Sequence, residues 1–208
     1  MLKKIFLSFL LSLFSSSLLN AEEIDRSGFL IGVFAGTNSL ESASLADVLP
    51  GVVLPDYVKS NFIPVGLRLG YQLASGDSIF GSRIYADYSY ATSEDESKIY
   101  KNTQSLLSFN LDILADFNIP NTQSFIGVFA GINYGIYSVD SKQALSTQKV
   151  DIKGFGYNAG LALTFSSNHR LELFYKSLPK TEYEFLSNGI YSSYKMTGIT
   201  GLAYQYNF

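Results

Sequence analysis

The sequence predicts an all-β protein: a transmembrane, antiparallel, up-and-down β-barrel of eight strands, preceded by a signal peptide. Three observations carry this expectation. The last eight residues alternate, with Leu202, Tyr204, Tyr206 and Phe208 on one face and Gly201, Ala203, Gln205 and Asn207 on the other. A period of two means a strand with one apolar and one small or polar face. The connections between predicted strands alternate short and long, as they do in membrane barrels. The chain also opens as a secretory leader does.

That leader begins Met1-Leu2-Lys3-Lys4, continues as an apolar run from Ile5 to Phe14, and ends in Leu18-Leu19-Asn20-Ala21 before Glu22. A basic start, a short apolar stretch and a small residue at the boundary define a cleavable signal. A spanning helix needs about 20 apolar residues, more than this run supplies. Cleavage is expected between Ala21 and Glu22. Residues 1–21 are then the signal peptide and residues 22–208 the barrel domain.

The formal net charge is −3, and it becomes more negative once Lys3 and Lys4 leave with the leader. No basic footprint for nucleic acid results. The absence of cysteine excludes disulfides, thiolate metal sites and a cysteine nucleophile. Nothing in the residue pattern calls for a cofactor or a metal. Aromatic residues are abundant, 15 Tyr and 16 Phe without a single Trp. Tyr suits a lipid–water boundary, where the ring is buried and the hydroxyl stays wet.

Taken in order, the strands are expected at Phe29–Asn38, Phe62–Leu73, Ser82–Ala91, Gln104–Phe117, Phe125–Tyr137, Gly154–Phe165, Arg170–Ser177 and Lys195–Phe208. The fourth shows the alternation well. Leu107, Phe109, Leu111, Ile113, Ala115 and Phe117 oppose Leu106, Ser108, Asn110, Asp112, Leu114 and Asp116. In the sixth, Phe155, Tyr157, Ala159, Leu161, Leu163 and Phe165 oppose a face of Gly, Asn, Ala and Thr. Strands one and five bring bulk to the inner face, at Leu30, Phe34, Phe125 and Phe129. The hexapeptide Ile31-Gly32-Val33-Phe34-Ala35-Gly36 recurs four strands later as Ile126–Gly131. Duplication and convergence both account for it.

Short connections follow the second, fourth and sixth strands, at 74–81, 118–124 and 166–169. Long ones are expected at Ser39–Asn61, Thr92–Thr103, Ser138–Lys153 and Leu178–Tyr194. Both termini then lie at the short-turn, periplasmic end. The first long loop is apolar, with Leu45, Val48, Leu49, Val52, Val53 and Leu54 stiffened by Pro50 and Pro55. It reads either as a cap with its own short helix over Ser42–Leu49 or as a surface for an apolar ligand. Pro64 removes one ladder donor from the second strand.

A soluble barrel with its apolar face inward would expose the other face to water and place Lys, Glu and Thr there. That face instead carries Gly, Ala, Asn and Ser, which suit the cramped interior of a narrow barrel. Charges on the inner face must find partners, because burying an unpaired charge is costly. These are Arg68, Arg83, Asp87, Asp112, Asp116, Glu172 and Lys176. Counted from the turns, Arg68, Asp87 and Asp112 are expected at one height, with Arg83 and Asp116 forming a second level nearer the turn.

The only histidine, His169, has Ser166, Ser167 and Glu172 close in sequence. That set suits nucleophilic chemistry only if the fold makes them converge. Otherwise Ser-Ser-Asn-His is ordinary turn composition. The run Glu94-Asp95-Glu96 is read as a solvated loop tip.

A terminal strand ending in Tyr204, Tyr206 and Phe208 resembles the assembly signal of bacterial outer-membrane barrels. As a pattern, residues 22–208 resemble the small eight-stranded barrels typified by the OmpA membrane domain and OmpX. The Lys-, Ser- and Asn-rich style is similar to that of the Helicobacter-type outer-membrane proteins. The resemblance implies an outer-membrane location in a Gram-negative bacterium, with the termini in the periplasm. It implies contact with outer-membrane lipid and lipopolysaccharide, and recognition by the barrel assembly machinery. It also implies a non-enzymatic surface, structural or adhesion role, with a host or surface partner met through the long loops. The other readings are an OmpW-like channel for small hydrophobic compounds and, resting on His169 alone, a lipid A-modifying enzyme. Unlike OmpA, the sequence shows no peptidoglycan-binding segment after Phe208.

Overall fold

The computed structural model describes residues 26–46, 58–74, 78–94, 100–143, 146–179, 182–187 and 190–208. The expected cleavage site, Ala21 and Glu22, lies outside the described residues, as do most of the apolar first loop and Asp95-Glu96. Among the described residues eleven strands follow one another: β1 (Gly28–Ala46), β2 (Val58–Phe62), β3 (Val65–Leu73), β4 (Phe80–Glu94), β5 (Tyr100–Asn118), β6 (Phe125–Gln143), β7 (Ser146–Phe165), β8 (His169–Lys176), β9 (Glu182–Ser187), β10 (Ile190–Met196) and β11 (Ile199–Asn207). They form eight antiparallel staves, because β2 with β3, β8 with β9, and β10 with β11 are interrupted single staves. Pairing of β1 with β11, from Leu30↔Asn207 to Thr37↔Thr200, closes the cylinder.

Each interruption has a local cause. Pro64 has no N–H to give the ladder, but its carbonyl still accepts from the Gly36 N–H at 2.9 Å. Thr197 fills its own break: its N–H donates to the Ser39 carbonyl at 3.0 Å, and its Oγ1 accepts from the Ser39 N–H at 2.8 Å. At Ser177–Pro179 the chain leaves the wall, and Pro179 packs over Gly135 and Gly154. At the opposite end, the turn between β7 and β8 places Ser166 and Ser167 in the left-handed region, with φ of 48° and 63°.

The outward face of the lower cylinder is a continuous apolar band, with Leu67, Leu69, Phe109, Ile113, Ile132, Leu161 and Leu173 all exposed. Exposed aromatics edge it near the turns (Phe29, Phe80, Phe117, Phe165, Phe208) and at its far margin (Tyr88, Tyr90, Tyr134, Phe155, Tyr157). Phe29 meets Tyr71 edge-on at 5.2 Å, and Tyr134 meets Phe155 at 5.3 Å. This is the girdle arrangement of a band about 25 Å tall.

Above the band the structure departs from the expected loops. Most of Ser138–Lys153 is strand, because β6 runs to Gln143 and β7 starts at Ser146. β1 likewise continues to Ala46, so Ser42–Ala46 is strand where a helix was one of the expectations. β4 and β5 narrow the second connection, and β9 and β10 occupy most of the fourth. The reason is an inversion of polarity. Within the band, outward residues are apolar; beyond it, the outward residues of β6 and β7 become Ser138, Asp140, Lys149, Asp151 and Lys153. The inward ones become Tyr137, Val139, Val150 and Ile152. The geometry never changes phase, but the apolar residues change sides.

This upper part, the collar, is a pair of sheets. β9, β10, β1 and β2 form one, and the extensions of β4, β5, β6 and β7 form the other. Between them lies an apolar layer that includes Leu40, Phe62, Leu106, Val139, Ile152 and Met196. Burying each such side chain stabilises the fold by about 1.5–3 kcal/mol. Polar clasps join the two sheets: Asn38 and Gln104 exchange amide hydrogen bonds at 3.1 and 2.8 Å. Asn102 donates to the Ser60 Oγ at 3.0 Å.

Candidate functional site

The site lies inside the band, below the apolar layer. Inward positions alternate along every strand, and all seven charged residues singled out in the sequence are buried there: Arg68, Arg83, Asp87, Asp112, Asp116, Glu172 and Lys176. Their strand neighbours Leu67, Leu69 and Tyr88 point outward.

Register decides who meets whom. Arg68 stands opposite Asp87 on β4, and its Nε donates to Asp87 at 3.0 Å. Arg83 stands opposite Asp112 on β5, and its Nη2 lies 2.8 Å from that carboxylate. Glu172 joins the pairs. It accepts from Arg68 Nη1 at 2.7 Å, from Arg170 Nε at 2.8 Å, and from Arg83. Lys176 contacts Asp87 and donates to Ser108 Oγ at 2.8 Å and Asn110 Oδ1 at 2.9 Å. Tyr85 sits among the cations, its ring centroid 4.3 Å from the Arg68 guanidinium and 4.8 Å from that of Arg83, and its hydroxyl donates to Asp112 at 2.9 Å. Cations over an aromatic face are worth more when desolvated, as here.

Two pairings differ from those expected. Asp112 meets Arg83 rather than Arg68. Asp116 meets Arg26 at 3.0 Å and Arg170 at 2.9 Å rather than Arg83. The cause is stagger. Closing a barrel shears neighbouring strands past one another, and at the turn end Phe80 pairs with Ala115, so β5 runs on to Asn118 beyond the start of β4. Counting residues from each turn ignores this offset.

Arg26 and Arg170 are the charged members missed in the sequence. Both share the even-numbered parity of Leu30 or of Glu172, and parity alone could have found them. Glycines make room for the carboxylates. A Cβ on Gly127 would lie 1.9 Å from Asp116 Oδ1, and one on Gly131 2.2 Å from Asp112 Oδ1. The repeated hexapeptide has a matching use at its phenylalanines, since Phe34 lies over Gly66 and Phe129 over Gly160.

His169 does not join this interior. It is the first residue of β8 and faces outward, its Nδ1 2.8 Å from the Tyr204 hydroxyl and its ring 5.1 Å from that of Tyr206. Glu172 is on the opposite face of the same strand. Tyr204 and Phe208 are exposed on the outer wall and Tyr206 is half-buried, with the Tyr206 and Phe208 rings 5.0 Å apart.

A network with this burial is sensitive to removal of one partner, which typically costs about 3–5 kcal/mol. Arg68→Ala and Asp87→Ala are each expected to lower the urea midpoint of the refolded protein in detergent. The double variant should lose less than the sum of the two. Additivity within about 0.5 kcal/mol would contradict the contact.

Residues 66–208 match the family model of the Helicobacter outer membrane protein. Among solved structures, the chain is similar to Ail, the attachment invasion locus protein of Yersinia pestis, at 13% identity and a TM-score of 0.39, over 86% of this chain and 98% of that one. It is similar to Neisserial surface protein A at 12% identity and a TM-score of 0.44, over 85% and 97%. For the outer membrane protein OprG of Pseudomonas aeruginosa the identity is 14% and the TM-score 0.44, over 87% and 97%. No curated protein sequence matches the chain. Because the family match runs over more than half of the sequence, ends in the closing strand β11 and includes most of the buried charges, this chain belongs to the Helicobacter outer membrane protein family and is an integral β-barrel protein of a Gram-negative outer membrane.

Proposed function

We propose that this protein is a non-enzymatic surface barrel that acts through its collar, in adhesion or surface interaction, and not through its lumen. One observation carries the reading: the interior is filled in two layers. The ion network of Arg68, Arg83, Asp87, Asp112 and Glu172 occupies the lower part, and packed apolar side chains such as Phe62, Leu106 and Met196 occupy the upper part. Eight strands enclose a space that side chains can fill. In this reading the turn end, with Phe208, faces the periplasm, and the collar stands outside the cell. Lipid and lipopolysaccharide surround the apolar band, and the outward Tyr204, Tyr206 and Phe208 are offered to the assembly machinery. The outward position of His169, away from Glu172, supports a non-enzymatic role.

Planar-bilayer recording and hydrophobic-solute uptake with the refolded protein test this. The expected result is neither unitary conductance nor uptake. Stable conductance steps would overturn it. The apolar layer above the charges favours a second reading, a channel for small hydrophobic compounds, which uptake without conductance would support.

A further inference from the structure

Above the apolar band, among the described residues, the two sheets of the collar do not close on each other along β7. Ser177 marks the last point of closure. Its N–H donates to the Tyr157 carbonyl at 2.9 Å, and its Oγ accepts from the Tyr157 N–H at 2.7 Å. Beyond it, β9 pairs with β10. Among the described residues no ladder joins β9 to β7, although β7 continues to Ser146. The upper half of β7 is therefore a sheet edge.

The register states which groups face that edge. Pairing of β6 with β7 runs without a bulge from Gln143↔Ser146 to Phe125↔Thr164. In an antiparallel ladder, alternate residues turn both backbone groups to the same side. Tyr157 turns its groups away from β6, so Thr147, Lys149, Asp151, Lys153 and Phe155 do the same. Their N–H and C=O groups are a template for one further strand.

We propose that this edge binds an extended segment of a partner protein in which acidic residues alternate with apolar ones. The side chains along the edge select that chemistry. Lys149 and Lys153 are exposed on its outer side. Asp151 between them is already held by the Ser138 hydroxyl at 2.6 Å and faces Lys149 at 3.8 Å. The inner side carries Ile152, which is buried, and Val150, which packs against the apolar layer. A strand laid alongside places its side chains about 4.5–5.5 Å from these. Acidic residues then meet the lysines, and apolar residues extend the layer between the sheets. Lysines on a sheet edge also repel indiscriminate pairing, so the same residues that select an acidic strand reject basic ones.

The proposal rests on the surface-interaction reading. The test uses the refolded full chain in detergent with two synthetic peptides, acetyl-(Glu-Val)4-amide and acetyl-(Lys-Val)4-amide. The Glu-Val peptide should bind several-fold more tightly than the Lys-Val peptide, because two lysines set against Asp151 leave one net favourable cross-strand pair for the first and one net unfavourable pair for the second. Hydrogen exchange should slow at the amides of Lys149, Asp151, Lys153 and Phe155. The amides of Gln148, Val150, Ile152 and Gly154, which bond to β6, should not change. Lys149→Glu combined with Lys153→Glu should invert the peptide preference. Lys153→Pro, which deletes a donor facing the edge and none facing β6, should weaken binding while the barrel stays heat-modifiable. Equal binding of both peptides, no binding, protection elsewhere, or an unchanged preference in the charge-reversed variant would overturn the proposal. If the peptides fail while bilayer recording finds the lumen closed, the edge site falls and the surface-interaction reading stands; solute conduction would sink that reading instead.

Discussion

Glu172→Ala is expected to lower the urea midpoint of the refolded protein more than any other single charge removal. Its carboxylate accepts from Arg68, Arg83 and Arg170, and it is fully buried. Each arginine keeps one other acid: Asp87, Asp112 and Asp116 respectively. Removal of Glu172 leaves three guanidinium groups drawn toward one place with less negative charge to hold them. Breaking one buried pair typically costs about 3–5 kcal/mol, and three partners put this variant at the upper end or beyond. Glu172→Gln keeps the shape and one acceptor oxygen, so its loss should be smaller than that of the alanine variant. Unfolding in detergent, followed by tryptophan-independent circular dichroism and by the gel shift of the folded barrel, reads both. A loss within about 1 kcal/mol, the worth of one neutral hydrogen bond, would show that Glu172 does not organise the network.

Gly131→Ala should be the second large effect, although it adds a single methyl group. The new Cβ would lie 2.1 Å from the Leu111 carbonyl oxygen and 2.2 Å from Asp112 Oδ1. The first of these is backbone, so β5 and β6 must separate or twist. The second is half of the Arg83–Asp112 pair. Overpacking of a filled interior costs about 1–3 kcal/mol, and more where backbone must move. Gly154→Ala is the control. It faces Pro179 rather than a carboxylate or a strand carbonyl, and its nearest contact would be 3.3 Å away. A Gly131→Ala variant as stable as Gly154→Ala would mean that the two strands pack more loosely there than the register requires.

These two positions differ in how readable they were. Glu172 was legible as an inner-face charge, because in a strand the side of a residue follows from its parity. Parity likewise placed Arg68, Arg83, Asp87, Asp112, Asp116 and Lys176 inside. The partners of Glu172 were not legible, since three of its contacts reach across the barrel from β3 and β4 or come from a residue assigned no role. The glycines were legible as small inner residues. That Gly127 and Gly131 each make room for one particular carboxylate was not.

The collar shows the same division. Tyr137, Val139, Val150 and Ile152 are apolar in the sequence, but Tyr137 and Val139 fall on the opposite parity to Ile132, Tyr134 and Ile136 of their own strand, and Val150 and Ile152 on the opposite parity to Phe155 and Tyr157 of theirs. Read at constant phase, the pattern ends and a loop is expected. In the structure the strand continues, and its surroundings change from lipid outside to water outside.

What the sequence determined by itself is therefore the period of two, the side on which each residue of the band lies, and the family to which those strands belong. Both the apolar band and the polar interior follow from it, because alternation is a local property of the extended chain. The tertiary structure decided the ion partners, the height of each carboxylate, the two-sheet collar and the edge of β7 that no ladder covers among the described residues. All of these depend on strand stagger and on where the wall stops closing. Stagger is set by closure of the whole cylinder, so no single strand carries it.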